Sequence, residues 1–136
     1  MILVLISYMR GLKHNMKHNW EQQEQIMFNQ FMALACPRVL WTATAGGLRT
    51  TWKQATAMKR MGLSKGVPDI LVFESRGKYH GLCIELKKAK EQGHSYPSIE
   101  QKWWIEELNK RGYKAVVCYG FEEARETVEK YILKGE

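Results

Sequence analysis

Two short apolar runs, residues 70–73 (ILVF) and 82–86 (LCIEL), constrain the fold of this chain more than any other feature. The turn-like residues 75–77 (SRG) lie between them, so the pattern predicts the two strands of a β-hairpin. Both runs are apolar enough to be buried, which indicates a sheet that other elements cover.

The rest of the chain alternates helix and strand patterns around this hairpin. The predicted elements are a helix over residues 20–35, a strand over 39–42, a basic helix over 51–61, the two hairpin strands, a helix over 98–111, a strand over 115–119 and a helix over 122–133. The order is α-β-(α)-β-β-α-β-α, with the helix in parentheses interpreted as an insert. This order predicts an α/β fold with a central mixed sheet flanked by helices.

Two of the predicted helices show which residues they bury or cap. In the first helix, apolar residues recur at helical spacing at Trp20, Met27, Phe31 and Leu34. Ser98 and Gln101 form a capping-box pattern at the start of the helix over 98–111. Trp103 and Trp104 in that helix are interpreted as core residues, so at most one of them is free to contact a base or a partner.

Length and charge narrow the class of protein. The 136 residues fit one domain, with residues 1–18 as an N-terminal extension, and the first fifteen of these residues are either an upstream start before Met16 or a short edge strand. Lys and Arg outnumber Asp and Glu by 21 to 14, which gives a net charge of +7 and favours a polyanionic partner, nucleic acid first. On charge alone, an ordinary basic protein is an equally good interpretation.

The cysteines bear on the compartment. Cys36, Cys83 and Cys118 lie far apart in apolar surroundings and form no paired motif. We interpret them as buried free thiols, which indicates a reducing compartment. Residues 1–9 lack a basic leader, a full-length apolar segment and a small-residue cleavage site, so no export signal is apparent. The expected location is the cytoplasm.

Charged residues are predicted to meet at one end of the hairpin. Asp69, after Pro68, opens the first strand. Glu85 and Lys87 close the second strand and share one face, while Leu86 points to the opposite face. Two carboxylates and a backbone carbonyl suit Mg²⁺, and a nearby ammonium can orient or help deprotonate an attacking water. The alternative for each fragment alone is structural, as a turn residue or a solvated strand face.

The combination of motifs is more specific than its parts. Along the chain come residues 66–71 (GVPDIL), 81–87 (GLCIELK), 98–101 (SIEQ) and 112–113 (GY). This series resembles the VRR-NUC nucleases, a branch of the PD-(D/E)XK superfamily that occurs in bacteriophages, in bacteria and in a eukaryotic DNA-repair nuclease. The resemblance covers about residues 20–125.

The resemblance implies a restriction-endonuclease-like core and an activity. It implies a metal-dependent DNA endonuclease that uses Mg²⁺, with Mn²⁺ as a substitute, and that leaves a 5′-phosphate. Members without extra domains look like homodimers that act on branched DNA such as four-way (Holliday) junctions. For this chain the implied partner is DNA, in the cytoplasm of a bacterium or a phage-infected host, with no membrane. A non-catalytic DNA-binding module and an RNase on the same fold are the alternatives.

The resemblance also implies roles for individual residues. The implied catalytic residues are Asp69, Glu85, Lys87 and Gln101, and the implied metal ligands are Asp69, Glu85, the backbone carbonyl of Leu86 and Glu21. Glu24 competes with Glu21 as the acid of the first helix, and Gln25, four residues after Glu21, is a supporting residue. For Gln101 a capping role and a role near the active site can coexist.

Two sets of residues complete the predicted surface. Phosphate contacts are expected from Arg49, Lys53, Lys59, Arg60, Lys65 and Lys88, although a basic helix face is often only solvated. Four histidines without spacing suited to zinc are interpreted as surface residues, namely His14, His18, His80 and His94. The apolar residues 2–5 and 131–133 are expected either to form the dimer contact or to complete the domain's own core.

Overall fold

A computed structural model describes residues 20–44 and 51–136, and within these ranges four strands form one mixed sheet. The elements are α1 (Trp20–Ala35), β1 (Trp41–Ala43), α2 (Trp52–Arg60), β2 (Ile70–Val72), β3 (Leu82–Lys87), a short 3-10 helix (Lys90–Gln92), α3 (Ile99–Lys110), β4 (Lys114–Tyr119) and α4 (Phe121–Lys134). The predicted order is confirmed, and the ends of the elements shift by no more than two residues.

The strand order in the sheet is β1-β2-β3-β4. β2 runs antiparallel to both β1 and β3, whereas β4 runs parallel to β3 and is reached through α3. Ile70 lies opposite Ile84, so the predicted hairpin is confirmed. Its connection is longer than a tight turn and carries its own small bridge between Arg76 and Tyr79.

β3 is buried along its whole length and therefore has covered surfaces on both faces. Its alternate residues Leu82, Ile84 and Leu86 join the hydrophobic core that the sheet shares with α1 and α4. Because side chains alternate along a strand, Glu85 and Lys87 point to the other face, where α3 packs. Buried charges on this second face need partners, which makes it the natural place to look for a site.

The core between the sheet, α1 and α4 is rich in aromatic residues. Phe28 packs edge-on against Trp41, with ring centroids 5.2 Å apart. Trp20 and Leu34, which were expected on the buried face of α1, are 37% and 62% exposed, so that expectation is wrong. Both lie in terminal turns of the helix, whereas Met32 and Phe28 in its middle turns are fully buried.

The C-terminal helix α4 contributes to the same core. Tyr131 is fully buried, and its hydroxyl donates a hydrogen bond to the carbonyl of Glu74 at 2.5 Å. Tyr131 therefore completes its own domain and is not free for the dimer contact, whereas Leu133 is 81% exposed. Residues 2–5, the other expected contact, lie outside the described residues.

The three cysteines are free thiols, as predicted. Cys83 and Cys118 are buried, and Cys36 is half-buried. Burial raises the pKa of Cys83 and of Cys118 to about 11, so both thiols stay protonated at neutral pH. Among the described residues, no helix combines the length and the apolar character that crossing a membrane requires.

Candidate active site

Asp69 and Glu85 lie across from each other where β2 begins and β3 ends. The register that sets Ile70 opposite Ile84 continues by one residue to this pair, so both side chains occupy the face of the sheet turned towards α3. Asp69 Oδ2 accepts the Leu86 backbone N–H at 2.8 Å. Glu85 is 2% exposed. The predicted meeting of the two carboxylates is confirmed.

Pro68, the residue before Asp69, lies opposite Leu86 and determines whether β2 can hydrogen-bond to the Leu86 carbonyl. In an extended strand the N–H and the C=O of one residue point to the same side, so the Leu86 carbonyl lies on the Asp69 side of β3. The register pairs Ile70 with Ile84, and two residues further along it places Pro68 opposite Leu86. A proline has no N–H to donate. The β-ladder therefore offers the Leu86 carbonyl no partner at this position, and a metal ion is a partner that can take it.

Thr44 and Gly66 fix the backbone around Asp69. Thr44 donates its N–H to the Asp69 carbonyl at 2.8 Å and its hydroxyl to the Pro68 carbonyl at 2.9 Å. Gly66 has a φ of +91° and lies so close to the start of α3 that an added Cβ would be 2.6 Å from the Glu100 carbonyl carbon. The sequence pattern revealed neither contact, and the glycine three residues before Asp69 was the one available signal.

Gln101 reaches the site from the first turn of α3. Its side-chain amide donates to Glu85 Oε1 at 2.6 Å, and its own carbonyl oxygen accepts the Ser98 N–H at 2.8 Å. The Ser98 hydroxyl in turn accepts the Gln101 backbone N–H at 3.2 Å. The predicted capping box is therefore present, and the same side chain contacts a carboxylate of the site.

Lys87 pairs with Glu85 on the same strand face. Its Nζ lies 3.4 Å from Glu85 Oε1, and the residue is only 7% exposed. An ammonium is costly to bury without a partner of opposite charge, so Glu85 is part of what holds Lys87 in place.

Burial is the largest cause of a raised pKa in both carboxyl groups. For Glu85, burial and then the nearby charge of Asp69 raise the pKa to about 8, against the lowering effect of Lys87. For Asp69, burial is again the largest cause of a raised pKa, and the charge of Glu21 adds to it, while the Leu86 N–H and Lys87 act in the opposite direction. Two crowded carboxyls in a poorly solvated site are stabilised as anions by a bound cation.

The oxygen atoms present suit a hard divalent cation. Glu85 Oε2 is buried and has no hydrogen-bond partner among the described residues. With Asp69 and the Leu86 carbonyl it makes an all-oxygen donor set of the kind that Mg²⁺ prefers, and Mg²⁺ usually keeps several waters. Within residues 20–44 and 51–136, no group of three or more His, Cys, Asp or Glu side chains is arranged to hold a metal.

The two acids of α1 have different surroundings. Glu24 is fully buried, and its Oε2 accepts the Phe121 N–H at 2.6 Å. It thereby caps α4, whose N-cap residue Gly120 has no side chain, and the positive end of the helix dipole favours a carboxylate there. Glu21 is exposed and raises the pKa of Asp69 after the larger effect of burial, so Glu21 is the acid whose charge reaches the site.

Gln25 shares a helix face with Glu21 by its spacing. Its amide nitrogen is buried and makes no hydrogen bond to any residue that the structure describes.

Glu21 also contacts the segment before α3. Ser95 donates its hydroxyl to Glu21 Oε1 at 3.4 Å, which links the start of α1 to that segment.

The residues predicted to contact phosphate are spread over several parts of the chain. Lys53, Lys59 and Arg60 are exposed on α2, a helix in which no residue is buried. Lys65 lies closer to the site, because its Nζ is 3.5 Å from Glu100 Oε1 in the first turn of α3. Two further predicted contacts are Lys88, which is half-buried beside Lys87, and Arg49, which lies outside the described residues.

The tryptophans of α3 differ in exposure. Trp104 is half-buried, and its indole N–H donates to the Lys65 carbonyl at 3.1 Å. Trp103 is 55% exposed, so the interpretation as a core residue is wrong for Trp103, whereas the expectation that at most one of the two tryptophans is free agrees with the structure. Two residues before Trp103, Gln101 turns inward to Glu85, and Trp103 consequently faces away from the sheet. His80 and His94 are exposed as predicted, and His14 and His18 lie outside the described residues.

Comparison with known proteins identifies the family. The model of the VRR-NUC domain matches residues 12–122. A solved structure described as a VRR_NUC domain protein is 31% identical to this chain, with a TM-score of 0.68 over 86% of this chain and 91% of that chain. No curated protein matches the chain significantly. The family model spans most of the chain, and the fold agrees with it. The chain therefore belongs to the VRR-NUC family, a branch of the PD-(D/E)XK superfamily, and contains a nuclease-type DNA-binding domain.

Proposed function

We propose that this protein is a metal-dependent endonuclease that hydrolyses DNA phosphodiester bonds at the Asp69, Glu85 and Lys87 cluster. The observation that carries the proposal is the environment of one buried side chain. Glu85 Oε1 accepts a hydrogen bond from Gln101 at 2.6 Å and lies 3.4 Å from Lys87 Nζ, while its Oε2 has no partner among the described residues. A buried carboxylate with one oxygen fixed and the other open is suited to binding a cation.

Each residue of the cluster has its own role in the proposed hydrolysis. A Mg²⁺ ion, or Mn²⁺ in its place, held by Asp69, Glu85 and the Leu86 carbonyl would supply charge to the scissile phosphate and acidify a water. Asp69 is oriented for this by the Leu86 N–H at 2.8 Å. Gln101 holds Glu85 in one orientation. Lys87, whose ammonium pairs with Glu85, would orient the attacking water and stabilise the negative charge that develops on it.

The surface supports a DNA substrate. The chain carries a net charge of +7, and exposed cations lie on α2 and at Lys65 near the start of α3. Phosphate contacts of this kind give affinity without sequence preference. They therefore agree with an enzyme that selects its substrate by the structure of the DNA.

The proposal extends to a C2 homodimer that prefers branched DNA such as a four-way junction. One domain offers one catalytic cluster, whereas resolving a junction requires a cut in each of two strands, which a two-fold dimer supplies by symmetry. Large apolar residues are exposed on α2 and just after it, with Trp52 at 82%, Met61 at 76% and Leu63 at 54%. A second copy of the chain would cover such residues.

Neighbouring lysines provide the test of catalysis. We expect Lys87→Ala to lower the cleavage of DNA in Mg²⁺ by about 100-fold or more while DNA binding in EDTA stays near the wild-type value. Lys88→Ala is the matched control, and it should weaken binding and reduce the salt dependence by about one counterion while cleavage at saturating protein persists. Wild-type turnover in Lys87→Ala would contradict the mechanism.

Two further comparisons separate the alternatives. A wild-type protein that binds DNA but does not cleave it with any divalent cation would be a binding module. Faster cleavage of the same oligonucleotide as RNA would indicate an RNase.

The two carboxylates provide a test of the metal site. Asp69→Asn and Glu85→Gln should bind Mg²⁺ more weakly in calorimetry. Mn²⁺ should partly rescue their cleavage, because it binds mixed nitrogen and oxygen donors more tightly.

A further inference from the structure

The outward side of α3 exposes apolar side chains beside the candidate active site. Ile99 is 84% exposed and Trp103 is 55% exposed. They are four residues apart and so share one helix face with the exposed Lys102, and we name these three residues the outer face of α3. Aromatic side chains bury large apolar areas when covered, so an exposed tryptophan here suggests a partner.

The outer face lies close to the proposed chemistry. Gln101 falls between Ile99 and Trp103 in sequence, but it points inward and contacts Glu85 at 2.6 Å. A helix with its side chains is about 10–12 Å across, so the outer face is roughly one helix diameter from that carboxylate. Trp103 is on the opposite side of α3 from Glu85, so DNA bound at Glu85 would reach Trp103 by passing around the helix.

The Trp103 ring is held in place before any ligand binds. It meets the Trp104 ring in an edge-to-face contact, with centroids 5.6 Å apart and an interplanar angle of 86°. Trp104 is itself anchored by its hydrogen bond to the Lys65 carbonyl at 3.1 Å. The segment leading into α3 adds a second exposed ring, because Tyr96 is 74% exposed and its ring lies parallel to that of His94. Rings fixed in this way lose little conformational entropy when a planar ligand stacks on them.

We propose that the outer face of α3 stacks an unpaired nucleobase about one helix diameter from the scissile phosphate, so that Trp103 and Ile99 select DNA with unpaired nucleotides over intact duplex. The inference rests on the proposed nuclease function. Every base has a face that can stack on an aromatic ring, and an adjacent cation such as Lys102 suits the phosphate that follows the base. The proposed dimer assigns the second copy to the exposed apolar residues on and after α2, which leaves the outer face of α3 to the DNA.

Binding measured without cleavage tests the inference. In EDTA at fixed salt, the affinity is compared for a duplex and for the same duplex with an unpaired single-stranded tail. We expect Trp103→Ala to weaken binding of the tailed DNA by about 5- to 150-fold and to change duplex binding by less than about twofold. Trp103→Phe, which keeps a stacking ring, should recover most of the loss. Leu133→Ala is the control, since Leu133 is 81% exposed on α4, and it should change neither affinity.

Three outcomes would overturn the inference. Trp103→Ala could weaken both DNAs equally, or it could weaken neither. It could also lower the oligomeric mass in sedimentation without affecting the preference for tailed DNA, which would assign the face to a second copy. Cleavage by the wild-type protein in Mg²⁺ is measured separately, so Trp103-dependent binding without cleavage would reject the proposed catalysis and keep the inference.

Discussion

The side-chain amide of Gln101 donates a hydrogen bond to Glu85 Oε1 at 2.6 Å while its carbonyl oxygen caps α3 at the Ser98 N–H. One side chain thus connects the start of a helix to a buried carboxylate in β3. The helix cap fixes where the amide lies, and the amide fixes how Glu85 is turned. Because Oε1 is occupied in this way, Glu85 Oε2 is held in one direction, which is what the proposed cation would require.

This relationship predicts different effects for two equivalent glutamines. Gln54 forms the same capping box with Thr51 at the start of α2 but has no carboxylate partner among the described residues. Gln101→Ala and Gln54→Ala should each lower helix stability by up to about 1 kcal/mol. Only Gln101→Ala should reduce single-turnover cleavage, by about 10- to 100-fold, as removal of a residue that orients a metal ligand usually does. Equal cleavage losses in both variants would assign Gln101 a purely structural role.

Local patterns in the sequence were sufficient for the hairpin and for the candidate cluster. The alternation of side chains along β3 puts Glu85 and Lys87 on one face, and the antiparallel register then brings Asp69 to them. These relationships depend on residues close in sequence or on strand geometry that varies little between proteins. The capping box at Ser98 was predictable for the same reason.

Contacts between distant elements were not predictable from those patterns. The sequence left open whether Glu21 or Glu24 is the acid near the candidate site. The choice depends on Phe121, 97 residues after Glu24, because its N–H donates to Glu24 and holds that carboxylate at the start of α4. A tryptophan is large and apolar and is therefore expected in a core. Only the contact of Gln101 with Glu85 shows that Trp103, on the other side of the helix, faces solvent. Such choices are made by the tertiary packing of helices on the sheet, which spacing along one helix does not record.

The raised pKa of Glu85 predicts how the stability of the metal-free protein changes with pH. Its pKa rises from an ordinary value of 4.5 to about 8, because burial and the charge of Asp69 disfavour the anion in the folded state. The folded state therefore binds this proton more tightly than the unfolded state, and the resulting stability is complete below pH 4.5 and is lost as the pH rises towards 8. In EDTA, the Tm of the wild-type protein should fall as the pH rises from 4.5 to about 8. Glu85→Gln should make this fall in Tm smaller. Glu91→Gln changes an exposed glutamate and should leave the fall in Tm as it is in the wild type. Parallel Tm curves for wild type and Glu85→Gln would exclude this ionisation as the cause.

Gly66 predicts a loss of both stability and activity that a matched glycine does not share. Gly62 and Gly66 have similar backbone angles, with φ of +99° and +91°, so an alanine at either position costs about 1–2 kcal/mol of strain. At Gly62 the added Cβ meets nothing within 4 Å, whereas at Gly66 it would lie 2.6 Å from the Glu100 backbone. We expect Gly66→Ala to lower the urea midpoint more than Gly62→Ala and to reduce cleavage, since α3 with Gln101 must move away from Asp69. A Gly66→Ala variant as active as Gly62→Ala would show that this contact does not position the site.

The proposed dimer predicts that subunit association and junction preference are lost together. Light scattering at micromolar concentration should report about twice 15.9 kDa for the wild-type protein. Leu63→Glu, at an exposed apolar position after α2, should reduce this mass towards that of one chain, because a charge buried in the interface without a partner is costly. Leu133→Glu makes the same change on α4, where the sequence predicted a dimer contact, and a loss of mass in this variant alone would move the interface from α2 to α4. At equal ionic strength, the monomeric variant should still cut duplex DNA slowly at its single cluster but should lose paired cutting of a four-way junction, since paired cuts require two sites at a fixed separation. A wild-type monomer without junction preference would refute the dimer, and a monomeric variant that retained paired junction cutting would show that symmetry is not what selects the substrate.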